Sequence, residues 1–180
     1  MQNLPFETRK IHPDGCKLIL NDEATVAGLE ERLGVILPAD YRAFLKQYGA
    51  VYLRNVLVVP AVRDDERIGW EESVGGMSFY GIYNIPSGQR CPSDLVTIAV
   101  DHGADLPKGM IAFAAFGSDE FCISCTPESF GRVYLYGEQF DDDMPEDYLF
   151  LQAASFTAFL QSLRTMTDQE AEEWYQIRGG

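Results

Sequence analysis

Apolar residues recur at helical spacing in one short stretch, LEERLGVILPADYRAFLKQYG (residues 29–49), and that pattern constrains the rest of the chain. Val26, Leu29 and Leu33 fall on one face of a first helix. Gly34 follows, the residue that most easily takes the left-handed conformation closing a helix. Pro38 suits a first helical position, where its missing N–H is no loss, and Asp40 puts negative charge in the first turn. Tyr41, Phe44, Leu45 and Tyr48 repeat the spacing in a second helix that Gly49 ends. An amphipathic pair this short cannot bury its apolar side alone, so it must lie on something, and a sheet is expected.

Around this corner the pattern changes period. A turn is expected at His12-Pro13-Asp14-Gly15, and Asn21 or Asp22 can cap the first helix. Val51 to Pro60 reads as a strand, 61–76 as a charged, Gly-ended surface loop with Trp70 as its buried anchor, and Ser78 to Ile85 as a further strand. Val96-Thr97-Ile98 favours a strand within 93–103. Pro107-Lys108-Gly109 turns the chain into MIAFAAF, apolar on both faces as a central strand is. FCISC and RVYLY follow as short strands separated by TPESFG. Phe156, Phe159, Leu160 and Leu163 mark a helix beginning near Ser155, and Thr167 with Glu170 makes a capping box for a last one.

LEERLGVILPADYRAFL resembles the signature of the SUKH superfamily, which includes bacterial toxin-immunity proteins and a fungal cell-wall-assembly regulator. In that pattern a helix ends in Leu-Gly, an apolar residue precedes Pro, and an acid-Tyr pair opens the next helix. The matching positions are Leu33, Gly34, Leu37, Pro38, Asp40, Tyr41, Phe44 and Leu45, with Gly49 closing the second helix. Downstream, Ile111-Ala112-Phe113, Gly117-Ser118-Asp119, FCISC, RVYLY and Ser155-Phe156-Thr157-Ala158-Phe159-Leu160 match the family's central strand, Gly-acid turn, strand pair and closing helix. The resemblance covers roughly residues 24–165 and implies a helix, not a strand, across 93–103. Ala50 stands where a second Gly is common, and Cys125 near where an Asp is often seen. The expected fold is one α+β domain over residues 1–180, with 166–180 as a C-terminal helical extension. Its sheet is expected to be mixed or mostly antiparallel, with helices packed mainly on one face.

Composition narrows the function. At 180 residues the chain can bury about 70% of its unfolded surface. No run reaches the roughly 20 apolar residues of a membrane span, and MQNLPFETRK lacks the apolar block of a signal peptide. A cytoplasmic location without membrane contact is expected, and four scattered cysteines suit it. Formal charge is −14, and residues 118–180 hold 13 acids against 3 bases. Such a surface repels nucleic acid and attracts basic proteins.

Catalytic patterns are weak. Cys122-x-x-Cys125 lies in an apparent strand, where odd spacing sends the two side chains to opposite faces, so buried cysteines are expected rather than a metal or redox pair. Asp101-His102 is adjacent, a poor geometry for an acid that orients a ring. No metal site, cofactor or catalytic residue is expected, and a hydrolase built on scattered carboxylates is the enzymatic alternative. The densest acidic cluster is Asp141-Asp142-Asp143 with Glu146 and Asp147, beside Tyr136, Phe140, Tyr148 and Phe150. Read blandly it is a solvated loop. Read for function, Asp141, Asp142, Asp143, Glu146, Asp147 and Tyr148 take up a basic protein partner, with aromatics supplying affinity. The resemblance implies an immunity protein neutralising a cognate toxin, often a basic nuclease, or alternatively a regulatory scaffold for an endogenous partner.

Overall fold

The computed structural model describes residues 9–10, 16–19, 22–59, 72–101, 106–137 and 149–179. The helical corner consists of α1 (Glu23–Leu33) and α2 (Ala39–Tyr48). Asp22 caps α1, its carboxylate accepting the Thr25 N–H at 2.8 Å, and Gly34 closes it at φ +67°. Pro38 sits one position earlier than expected. Its ψ of 141° is extended and its carbonyl accepts the Arg42 N–H, so Ala39 opens the helix. Arg42 then pairs with Glu30 and Glu23, and Glu30 also accepts the Leu37 N–H at 2.8 Å. These contacts fix the angle between the two helices.

The corner lies on a sheet of order β1 (Arg9–Lys10), β3 (Val51–Val58), β4 (Ser73–Phe79), β6 (Met110–Phe116), β7 (Asp119–Ser124), β8 (Val133–Tyr136) and β9 (Leu149–Ala153), with β10 (Arg164–Thr165) also on β3. All these pairings are antiparallel. A separate ribbon joins β2 (Lys17–Leu18) to β5 (Tyr83–Asn84). The remaining helices are α3 (Leu95–Asp101), α4 (Phe156–Ser162) and α5 (Asp168–Arg178). Strand β6 is central and buried over most of its length, as its unbroken apolar run requires.

Two segments depart from the sequence reading. Residues 73–76 belong to a strand rather than a loop: Gly75 and Gly76 leave room for the rings of Phe116 and Tyr52 to lie across the strand. The strand expected over 78–85 divides at Phe79, because Gly81 leaves the sheet to hydrogen-bond Ser93 and Leu95, and Tyr83–Asn84 pairs elsewhere. Residues 95–101 are helical, as the resemblance implies, despite their β-branched run. Buried Asp94 accepts the Thr97 N–H at 3.0 Å as a helix cap, and its other oxygen accepts the Tyr83 N–H. Strand β9 went unread in the sequence. The expected turn at 12–15 and Trp70 lie outside the described residues.

Helices α1 to α4 bear on the core that lines one face of the sheet. Helix α5 packs on Leu57 and Val74, which alternate to the other face from Val56, Val58 and Met77. The sheet also coils. The Gln152 amide of β9 donates to the Val59 carbonyl at 2.8 Å, joining an edge strand to the end of a strand near the opposite edge. Among the described residues no helix is long and apolar enough to cross a membrane.

Candidate functional site

The recurrent positions of the helical corner and of the closing helix meet in the interior. Tyr41, Phe44, Phe113, Phe156 and Phe159 are all buried, and Tyr41 and Phe156 have ring centroids 5.0 Å apart. Leu37, Leu45 and Leu160 line the same core, Leu33 packs at its border, and Pro38 lies 3.7 Å from the point where a Cβ on Gly131 would sit. Ser155 caps α4 through the Ala158 N–H at 3.1 Å. Asp40 reaches across to the same helix, its carboxylate accepting the Thr157 N–H at 2.8 Å and the Thr157 hydroxyl at 3.1 Å. These residues hold the molecule together and present nothing to a ligand.

The Tyr41 hydroxyl is buried and makes no hydrogen bond among the described residues. Burial, and Cys125 beside it, push its pKa well above the ordinary tyrosine value, so it stays protonated. An unsatisfied buried hydroxyl costs free energy. Tyr41→Phe is therefore expected to match or exceed the parent in stability, by up to about 1 kcal/mol. Thermal melting of the two proteins checks this, and a melting point several degrees lower would show a hydrogen bond unaccounted for.

Cys122 and Cys125 do not converge on one point. Cys122 lies within β7 on the face of Glu120 and Ser124, and burial, then Glu120, raises its thiol pKa. Cys125 follows the end of the strand, its N–H bonded to the Gly109 carbonyl, with its thiol pushed up to about 12 by burial and by Glu30. Both thiols are held protonated, the opposite of what a metal ligand or nucleophile requires. Among the described residues no group of three His, Cys, Asp or Glu side chains could hold a metal ion. Asp101 pairs with Arg90, and His102 lies outside the described residues.

An open cleft of about 270 Å³ runs between α1, α3 and the start of β6, lined by Leu33, Val96, Val100 and Met110, with Arg32 and Lys108 at its rim. Among the described residues it brings together no acid–base pair or nucleophile.

One pole of the sheet carries the exposed acids of α5. Register places the Gly117-Ser118 turn, the paired residues Tyr136 and Leu149, and the Leu57–Val74 pair beneath α5 all toward that end. Helix α5 exposes Asp168, Glu172 and Glu173 there. The sequence-predicted Asp141, Asp142, Asp143, Glu146, Asp147 and Tyr148, between β8 and β9 in the chain, lie outside the described residues. Tyr136 is half-buried and Phe150 buried at the base of this pole. The sequence reading did not find the contribution of α5 to this pole, although its run of acids after the capping box was available as a signal.

The SMI1 / KNR4 family (SUKH-1) matches residues 21–162. The chain belongs to that family. A relative from Bacillus subtilis (strain 168), named SPbeta prophage-derived uncharacterized protein YokK, is 26% identical over 156 residues, covering 80% of this chain and 75% of that protein. The SUKH-1 match opens beside the Asp22 cap and ends at the last residue of α4. The span thus holds both helices of the corner, the central strands and the closing helix, whereas β1, β2, β10 and α5 lie outside it. In this SUKH-1 chain α5, with its exposed acids, is a helix added after the family span.

Proposed function

We propose that this chain is a single non-enzymatic protein-binding domain that works in the cytoplasm as an immunity protein, neutralising a cognate toxin whose binding surface is basic. The observation that carries this reading is the concentration of acids in residues 118–180 of a SUKH-1 protein. Carboxylates on a connection between paired strands meet Lys and Arg side chains lining a nuclease's cationic channel, and Tyr148 beside them supplies apolar contact. Complementary charge speeds the encounter and blocks the channel against nucleic acid. The cleft beside α3, aliphatic with basic residues at its rim, supports a binding role over a catalytic one.

Mixing the purified protein with toxin domains encoded beside it tests the proposal. Association is expected to slow by about tenfold or more between 50 mM and 300 mM salt. Asp141→Lys with Asp142→Lys and Asp143→Lys is expected to weaken capture by a comparable factor while the melting curve stays in place. Tight binding that ignores salt and these substitutions would move the contact surface elsewhere. Indifference to every neighbouring toxin, with capture of one endogenous protein, would favour a regulatory scaffold.

A further inference from the structure

The β2–β5 ribbon carries a second pair of cysteines that spacing could not reveal. Cys16 immediately precedes β2, and Cys91 lies in the turn leading to α3, 75 positions later. The antiparallel register Lys17↔Asn84 and Leu18↔Tyr83 brings the two chain segments side by side. Cys91 is fully buried in a small satellite core with Ala50 and Tyr83, and Cys16, Leu18 and Ile85 pack against it. The Cys16 thiol donates to the Arg90 carbonyl at 3.9 Å, which places its sulfur beside the residue preceding Cys91. Cys16 thus packs against the small cluster in which Cys91 is buried, and its thiol adds to the rise in the Cys91 thiol pKa.

We propose that Cys16 and Cys91 are a reversible dithiol–disulfide site, oxidised by a small disulfide such as glutathione disulfide. Cys16, half-buried at the start of the ribbon, is the thiol the oxidant reaches. Its sulfur attacks one sulfur of glutathione disulfide, forming a mixed disulfide and expelling one glutathione, which takes up a proton. The Cys91 sulfur then attacks the Cys16 sulfur and expels the second glutathione with the second proton. Two protein thiols lose two electrons in all, and one glutathione disulfide becomes two glutathiones. Cys91 is shielded from solvent, and burial, then the neighbouring Cys16 thiol, pushes its thiol up to about 12. The second step is accordingly slow, driven by proximity rather than by a preformed thiolate.

The bond would matter because the ribbon is so small. Each of its strands has two residues, too few to persist by pairing alone. A disulfide there closes a loop from 16 to 91 that contains α1, α2, β3 and β4. It constrains the unfolded chain over that length and clamps the segment before α1 onto the body.

Incubating the full chain with excess glutathione disulfide, then digesting it without reduction and weighing the peptides, tests the proposal. Two of the four thiols should disappear, and the Cys16 and Cys91 peptides should be joined with loss of two hydrogens. The melting temperature should rise by roughly 10 °C and fall back with dithiothreitol. Cys16→Ser, at a half-buried position that folding tolerates, should abolish both the linkage and the rise, while Cys125→Ser should leave them intact. A lasting glutathione adduct on Cys16, a linkage involving Cys122 or Cys125, or four unreacted thiols would each overturn it.

Discussion

Phe156→Ala is expected to remove about 3–5 kcal/mol of stability, a large part of what a domain of this size holds. Phe156 is fully buried and its ring faces five others: Tyr41 and Phe44 at 5.0 Å, Phe113 at 5.3 Å, Phe159 at 6.3 Å and Phe79 at 6.5 Å. Those five come from α2, β4, β6 and α4, so no single neighbour can shift to fill the gap without disturbing another element. The cost therefore combines lost transfer free energy with a cavity that stays open. Urea unfolding followed by far-UV circular dichroism should place the midpoint far below the parent's with a similar slope. Phe130→Ala, at a position 48% exposed, is the control and should change little. A loss below about 1 kcal/mol at Phe156 would mean that the closing helix does not seat on the helical corner.

The second large effect is expected at Gly81, and there the cause is crowding. A Cβ at Gly81 would sit 2.7 Å from the Ala50 Cβ and 2.8 Å from the Ala50 nitrogen. Neither atom is the end of a flexible side chain, and Gly81 is also pinned through hydrogen bonds to Ser93 and Leu95. Gly81→Ala should cost about 3 kcal/mol. Ala50→Gly removes one of the two contacts, so the double variant should recover part of the loss while the backbone contact keeps the rest. A thermal double-mutant cycle reads this directly, with a coupling of about 1 kcal/mol expected and strict additivity counting against the argument. This pairing also accounts for how an Ala is accommodated after Gly49: the methyl group occupies space that Gly81 leaves empty.

The elements readable in the sequence were those whose pattern is local. Helices α1 and α4 carry apolar spacing with a side-chain cap at the right offset, α2 the spacing with Gly49 at its end, and α5 a capping box, and the structure has them at those places. Strand β6 was legible because a strand buried on both faces has no polar alternation to confuse. What failed depended on residues distant in the chain. Gly75 and Gly76 read as loop because the rings they accommodate belong to Phe116 and Tyr52. Val96-Thr97-Ile98 favours a strand by composition, and the helix there came from the resemblance, with Asp94 as its cap. Of the candidate partner site, the charge was visible in the sequence, whereas the seat of α5 and its acids on Leu57 and Val74 follows only from packing across the sheet. The Cys16–Cys91 contact has no local signal at all.

The carboxylate that Asp40 extends to Thr157 has a consequence for motion. At seven residues, α4 is too short to persist by itself, and its opening turn is held partly by a group 117 positions away. Fraying at the start of α2 therefore releases α4 as well, and the two open as one cooperative unit. A partner that tugs on the helical corner is felt at the closing helix without any rearrangement of the strands between them.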